Sequence, residues 1–142
     1  MTPRVVLDAS AALHLVMDGT NAEAIGGRLD EAQLVTAPDL FASEVANGLW
    51  KYVGRGDLTA ADAASRLEEA LALTGGLVPG RLLAQEALVA ASTYRHSVYD
   101  MMYAVLARRQ GATVITLDAK FAQALHSMRV EVYHPSGRDL VS

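Results

Sequence analysis

The chain has 142 residues, 51% of them apolar and 20% charged, with no cysteine and a formal net charge of −4. That size and apolar content fit one domain with a real core; the missing cysteines exclude disulfides and thiolate metal sites such as zinc fingers, and make the reducing cytoplasm the expected setting. No run approaches the roughly 18 apolar residues of a membrane span, and the acidic balance excludes a generally basic nucleic-acid coat, leaving room for a local basic groove or a metal that binds phosphate.

No tract rich in Pro, Gly or Ser and no internal repeat divides the chain, and the opening MTPRVVLDAS lacks the apolar core of a signal peptide. Arg4 to Leu7 is a short β-branched run ending in Asp8, and AALHLVM then repeats at helical spacing up to Asp18-Gly19. Thr20 with Glu23 three positions on predicts a capping box for a helix over 21–31. Leu34 to Thr36 reads as a second strand that Pro38 breaks, with Asp39 capping a long helix from Leu40 to about Val53. Phe41, Val45, Leu49 and Tyr52 form the apolar stripe of that helix, and Trp50 is expected in or near the core.

Thr59 and Asp62 start a helix from Ala60 to Leu73 that stops at Gly75-Gly76. Leu77-Val78 is a minimal strand, Arg81 to Thr93 is helical, and Tyr94-Arg95-His96 is a connection. Ser97 caps a helix over 99–109 that Gly111 can stop, Thr113 to Leu117 is a fourth strand, and Asp118 precedes a short helix over 120–127. Val130 to Tyr133 is the last strand, before a tail containing Pro135 and Gly137. Strands alternate with helices throughout, which predicts a mostly parallel α/β sheet of about five strands with helices on both faces.

Three acids fall at matching places: Asp8 after the first strand, Asp118 after the fourth, and Asp100 in the first turn of the helix between them. Glu44 joins them from the long helix. Functional crevices of open parallel sheets lie off the carboxyl ends of adjacent strands where the chain reverses direction, so strands one and four should be neighbours there. Clustered carboxylates repel one another unless a cation neutralises them, and all-oxygen ligands favour Mg²⁺ or Mn²⁺ over zinc. Beside a phosphodiester, such a metal supports hydrolysis without a covalent nucleophile. Ser10, Asn47 and Thr116 are placed to orient a carboxylate or a water, and Arg95 and Lys120 could hold a phosphate.

Each acid also has a plain structural reading. Asp100 could be the capping partner of Ser97, Asp118 an N-cap, and Asp8 an Asx-turn residue. Glu44 resists this reading, because its neighbours at helical spacing are Leu40, Phe41, Asn47 and Gly48; Asp100 is followed by Tyr103 and Ala104. Acids without a cation at those spacings look to a ligand for the missing charge. His14, His96, His126 and His134 share no spacing and read as surface or boundary residues, and Arg108-Arg109 complements a helix C-terminus.

VLDASA, PDLFASEVANGLWK, YDMMYAVLA and TLDAKFAQAL, in this order and spacing, resemble the PIN-domain ribonucleases, and within them the VapC-type toxins of toxin–antitoxin pairs. The resemblance spans nearly the whole chain and implies a PIN-like three-layer sandwich. It implies Asp8, Glu44, Asp100 and Asp118 as metal ligands, with Ser10, Asn47 and Thr116 as accessory residues, and Mg²⁺- or Mn²⁺-dependent endonucleolytic cleavage of RNA. It also implies a homodimer and a small VapB-type antitoxin that covers the groove and alone binds operator DNA. Leu13, Val16, Phe41, Leu49, Trp50 and Val53 are candidate antitoxin contacts, or equally core. Met101 and Leu117 stand where the family favours small residues.

Three other functions compete. A housekeeping PIN nuclease of RNA maturation would share the chemistry. A haloacid dehalogenase-type phosphatase wants a second Asp two positions after the first, where this chain has Ser10. A non-catalytic module would hold a cation for structure alone, gaining melting temperature from it without cutting RNA.

Overall fold

The computed structural model describes residues 3–135. Five strands, β1 (Arg4–Leu7), β2 (Leu34–Pro38), β3 (Leu77–Val78), β4 (Thr113–Ile115) and β5 (Val132–Tyr133), form one sheet in the order β3-β2-β1-β4-β5. Every pairing is parallel. The helices are α1 (Ala9–Val16), α2 (Ala22–Glu31), α3 (Leu40–Gly54), α4 (Ala60–Leu71), α5 (Ala84–Tyr94), α6 (Val98–Gln110) and α7 (Ala119–Ser127), with a 3-10 turn at Gly80–Leu82 before α5. None is long and apolar enough to cross a membrane.

From β1 the chain steps outward to β2 and then β3, crossing over through α1 to α4. It then returns past its start to β4 and continues to β5. Right-handed crossovers place helices of opposite travel on opposite faces, so α1 to α4 cover one face of the sheet and α5 to α7 the other. Direction reverses between β1 and β4, which pair as Val5 with Thr113, Val6 with Val114 and Leu7 with Ile115. The neighbourhood expected of strands one and four is present.

Val6, Leu7, Val114 and Ile115 of the central strands are buried, as are Phe41, Val45 and Leu49 of α3 and Tyr103 and Leu106 of α6. Thr59, Ser97 and Asp118 cap their helices, accepting from the backbone N–H of Asp62, Asp100 and Phe121 at 3.0, 3.2 and 3.1 Å. Gly111 ends α6 at φ 62, a left-handed conformation that glycine adopts freely.

Several local expectations are corrected. Thr20 forms no capping box: α2 begins after Asn21, whose N–H donates to His14 Nε2 at 2.9 Å. That turn wraps so closely round the imidazole that a Cβ at Gly19 would overlap its ring. Pro38 does not break β2 but closes it, opposite Val78, at a strand end where the missing N–H costs little. Asp39 does not cap α3, because its Oδ1 accepts instead from the N–H of Gly80 at 3.0 Å. The fourth and fifth strands are shorter than expected, and Gly137 of the tail lies outside the described residues. Trp50 is 67% exposed, since it lies one step round the helix from Leu49, which takes the core position.

Candidate active site

Asp8 ends β1 with its backbone tied to β4 through an N–H donated to Ile115 O at 3.0 Å. Its side chain is buried, and its Oδ2 accepts from Ser10 Oγ at 2.6 Å and Thr116 Oγ1 at 2.7 Å. Both hydroxyls also accept: Ser10 Oγ from the N–H of Leu117 and Thr116 Oγ1 from the N–H of Asp118, each at 3.0 Å. The loop after β4 is thereby bolted to the acid after β1. Ser10 and Thr116 occupy the accessory positions expected of them.

Glu44 comes from α3 and Asp100 from the first turn of α6. Glu44 Oε1 accepts from the Tyr103 hydroxyl at 2.7 Å. Asp100 Oδ2 bonds His96 Nε2 at 2.7 Å, with the imidazole tilted against the Phe121 ring at 5.7 Å between centroids. The N–H of Asp100 donates to Ser97 while its carboxylate turns to His96, so the residue is capped and still offers its acid to the site. Asp118 is likewise both an N-cap and a site residue, its Oδ1 receiving the Phe121 N–H.

Electrostatics join the four acids into one group. Burial pushes the Asp8 carboxyl up from 3.8 to about 6; the Ser10 and Thr116 hydroxyls pull it down, and the charges of Asp100 and Glu44 raise it further. Glu44 is raised by burial, opposed by the Tyr103 hydrogen bond, and then by the charge of Asp100. Asp100 is raised by burial, relieved by His96, and raised again by Asp118. Tyr103 is held far above the ordinary phenol range, first by burial and then by the charges of Asp8 and Glu44, so it keeps its proton and donates to Glu44.

An open cleft of about 490 Å³ beside this group is lined by Asp100, Asp118, His96 and Ser97 together with Arg95 and Lys120. The two candidate phosphate-binding cations thus share a wall with two of the acids. Asn47, one turn along α3 from Glu44, is exposed and makes no side-chain hydrogen bond among the described residues. Met101 faces the core, fully buried, and does not shape the cleft.

The structure adds two residues that sequence reasoning passed over. His96 is more than a boundary residue, and the expectation that Asp100 lacks a partner at helical spacing is corrected by it: the partner stands four positions before Asp100 rather than after it. Tyr103, three positions after Asp100, was legible as a helical neighbour, but its reach to Glu44 across 59 residues was not. Arg108 and Arg109 lie in the last turn of α6 as expected, but both pair with Glu86 of α5, at 3.0 and 2.9 Å.

Among the described residues no three Asp, Glu or His side chains are gathered closely enough to make a ready-made cation cage. The donor set nevertheless fits a hard divalent ion. Each acid gives one oxygen to a protein donor and keeps the other, and the charge repulsion that adds to burial in raising Asp8, Glu44 and Asp100 is what a cation would relieve. A magnesium ion that retains several waters would not need all four carboxylates in direct contact.

On the other side of α3, Leu49, Trp50 and Val53 with Ala63, Ala64 and Leu67 of α4 line an apolar groove of about 230 Å³. Of the six apolar residues weighed as partner contacts or core, Val16, Phe41 and Leu49 are buried in the core, Leu13 packs against it partly buried, and Trp50 and Val53 open into this groove.

The sequence profile of the PIN domain family matches residues 5–125. Ribonuclease VapC3 of Pyrobaculum aerophilum is 33% identical over 122 residues, covering 84% of this chain and 93% of its own. Ribonuclease VapC12 of Mycobacterium tuberculosis is 31% identical over 128 residues, covering 90% and 96%. Among solved structures, PAE2754 of Pyrobaculum aerophilum superposes with a TM-score of 0.71 at 24% identity, over 93% of this chain and 84% of that one. FitAcB of Neisseria gonorrhoeae does so with a TM-score of 0.64 at 20% identity, over 94% and 99%. With its fold, its acids at the β1 and β4 switch point and these relatives in agreement, the chain belongs to the PIN domain family.

Proposed function

We propose that this protein is a metal-dependent endoribonuclease that acts as the toxin of a toxin–antitoxin pair. The observation that carries the reading is that Asp100 and Asp118 line one cleft with Arg95 and Lys120 while Asp8 is tied to Thr116, two residues before Asp118. Two relatives named ribonucleases of the VapC type support the substrate class and the toxin role.

Asp8, Glu44, Asp100 and Asp118 would hold the metal, Mg²⁺ or Mn²⁺. Once bound, the ion supplies an activated water and charge stabilisation for phosphodiester hydrolysis. The chain does the rest. Ser10 and Thr116 fix the Asp8 carboxylate by donating to one of its oxygens, which leaves its orientation independent of the ligand. Arg95 and Lys120, on the cleft wall, suit the RNA backbone and would hold a phosphate beside Asp100 and Asp118. Asn47 is free to meet a water or the RNA from the rim.

The exposed groove between α3 and α4 suits an apolar segment of a small antitoxin, with Trp50 as an aromatic anchor. Operator DNA would be met only through that antitoxin. Leu82, Leu88 and Val89 are exposed on the 3-10 turn and α5, an apolar face that a second copy of the chain would cover in a homodimer.

The test is cleavage of RNA by purified protein with Mg²⁺, beside Asp100→Asn as control. Cleavage that needs Mg²⁺ and falls by more than about 100-fold in the variant supports the reading. Wild-type protein that binds Mg²⁺ and cuts no RNA refutes it and leaves a structural cation module. Cleavage without growth arrest on expression points instead to RNA maturation.

A further inference from the structure

We propose that Tyr103 is a positioning residue for the cation: its hydroxyl holds Glu44 Oε1, so that Oε2 is the oxygen left to the metal. The inference rests on the metal-dependent reading above and adds to it a residue from inside the core.

Asp100 and Tyr103 lie three positions apart on α6, a spacing that puts them on one face of a helix. The Tyr103 ring is fully buried, and its hydroxyl meets Glu44 at 2.7 Å. This is the one hydrogen bond of the Glu44 side chain among the described residues. Glu44 is only partly buried on a solvated helix, and a carboxylate on three rotatable bonds would otherwise sample several rotamers. Tyr103 removes that freedom from within.

The same division of labour recurs at the other acids. Asp8 gives Oδ2 to Ser10 and Thr116, Asp100 gives Oδ2 to His96, and Asp118 gives Oδ1 to the N–H of Phe121. Each retains one oxygen, a donor that would suit a hard divalent ion still carrying several waters. Tyr103 is what brings Glu44, the acid contributed by α3, into that pattern.

The experiment is titration of the full chain with Mn²⁺ alone, followed by the electron paramagnetic resonance signal of free Mn²⁺, for wild type, Tyr103→Phe, Glu44→Gln and the double variant. Melting curves are recorded beside each. Tyr103→Phe is expected to weaken Mn²⁺ binding by about 10-fold or more, and to have no further effect once Glu44 is Gln. Equal binding by wild type and Tyr103→Phe overturns the inference. So does an equal loss in both backgrounds, or a Phe variant that does not fold, since the hydroxyl would then serve the fold and not the ligand. Wild-type protein that binds no Mn²⁺ overturns the metal reading itself, an outcome distinct from the others.

Discussion

Replacing Asp8 by Asn should stabilise the metal-free protein at neutral pH. The Asp8 carboxyl is lifted from 3.8 to about 6, chiefly by burial, so its ionised form is opposed by the fold. An acid raised in this way contributes stability that is fully present below its unfolded value and lost as pH rises through its folded value, here between 3.8 and about 6. The displacement corresponds to on the order of 3 kcal/mol of charge-burial cost at neutral pH. Asn keeps an oxygen for the Ser10 and Thr116 hydroxyls and carries no charge. Allowing for imperfect fit of the amide, a gain of about 2 kcal/mol is expected, a melting-temperature rise of roughly 4–8 °C for a chain of this size. The assay is thermal or urea unfolding of chelator-treated wild type and Asp8→Asn from pH 4 to 8 at fixed ionic strength. Titrations not coupled to Asp8 cancel in the difference, while relief of Glu44 and Asp100 acts in the same direction, so the difference should be near zero at the acid end, grow through the window and level off above it. A difference independent of pH, or a variant less stable than wild type at neutral pH, would refute the reasoning.

Three further outcomes follow from contacts elsewhere. Thr116→Val removes a donor to Asp8 and the acceptor for the Asp118 N–H inside a buried site, so urea unfolding should show a loss of about 1–3 kcal/mol. Gly19→Ala forces a Cβ into the His14 ring and should cost about 1–3 kcal/mol by the same measurement; an unchanged midpoint would mean that the turn opens freely. Trp50→Glu, at an exposed position, should alter stability by less than about 0.5 kcal/mol and leave RNA cleavage intact, while neutralisation by a co-expressed antitoxin fails.

Much of this architecture was legible in the sequence because it rests on short-range chemistry. The β-branched run before Asp8, the caps at Thr59 and Ser97 and the stop at Gly111 act within a few residues, and all appear as expected. The pairing of β1 with β4 followed from where the acids fell. The expectations that failed concern side chains claimed by distant partners. Asp39 serves Gly80, 41 residues away, and the turn at Thr20 is held instead by His14, which accepts the Asn21 N–H, so neither cap could be judged from its own few residues. Trp50 was misplaced by its size, although its position next to Leu49 on a helix gave the contrary signal. His96 stood at a readable spacing from Asp100, whereas the meeting of Tyr103 with Glu44 needed the tertiary fold.

The bolt between Asp8 and Thr116 spans 108 residues of chain. During translation the first acid therefore leaves the ribosome long before the hydroxyl that orients it, and β1 has no β4 beside it until Thr113 to Ile115 have emerged. A nascent or prematurely terminated chain lacks a finished centre whatever it has already folded. A ribonuclease built this way would thus be harmless to the machinery making it until synthesis has passed Thr116.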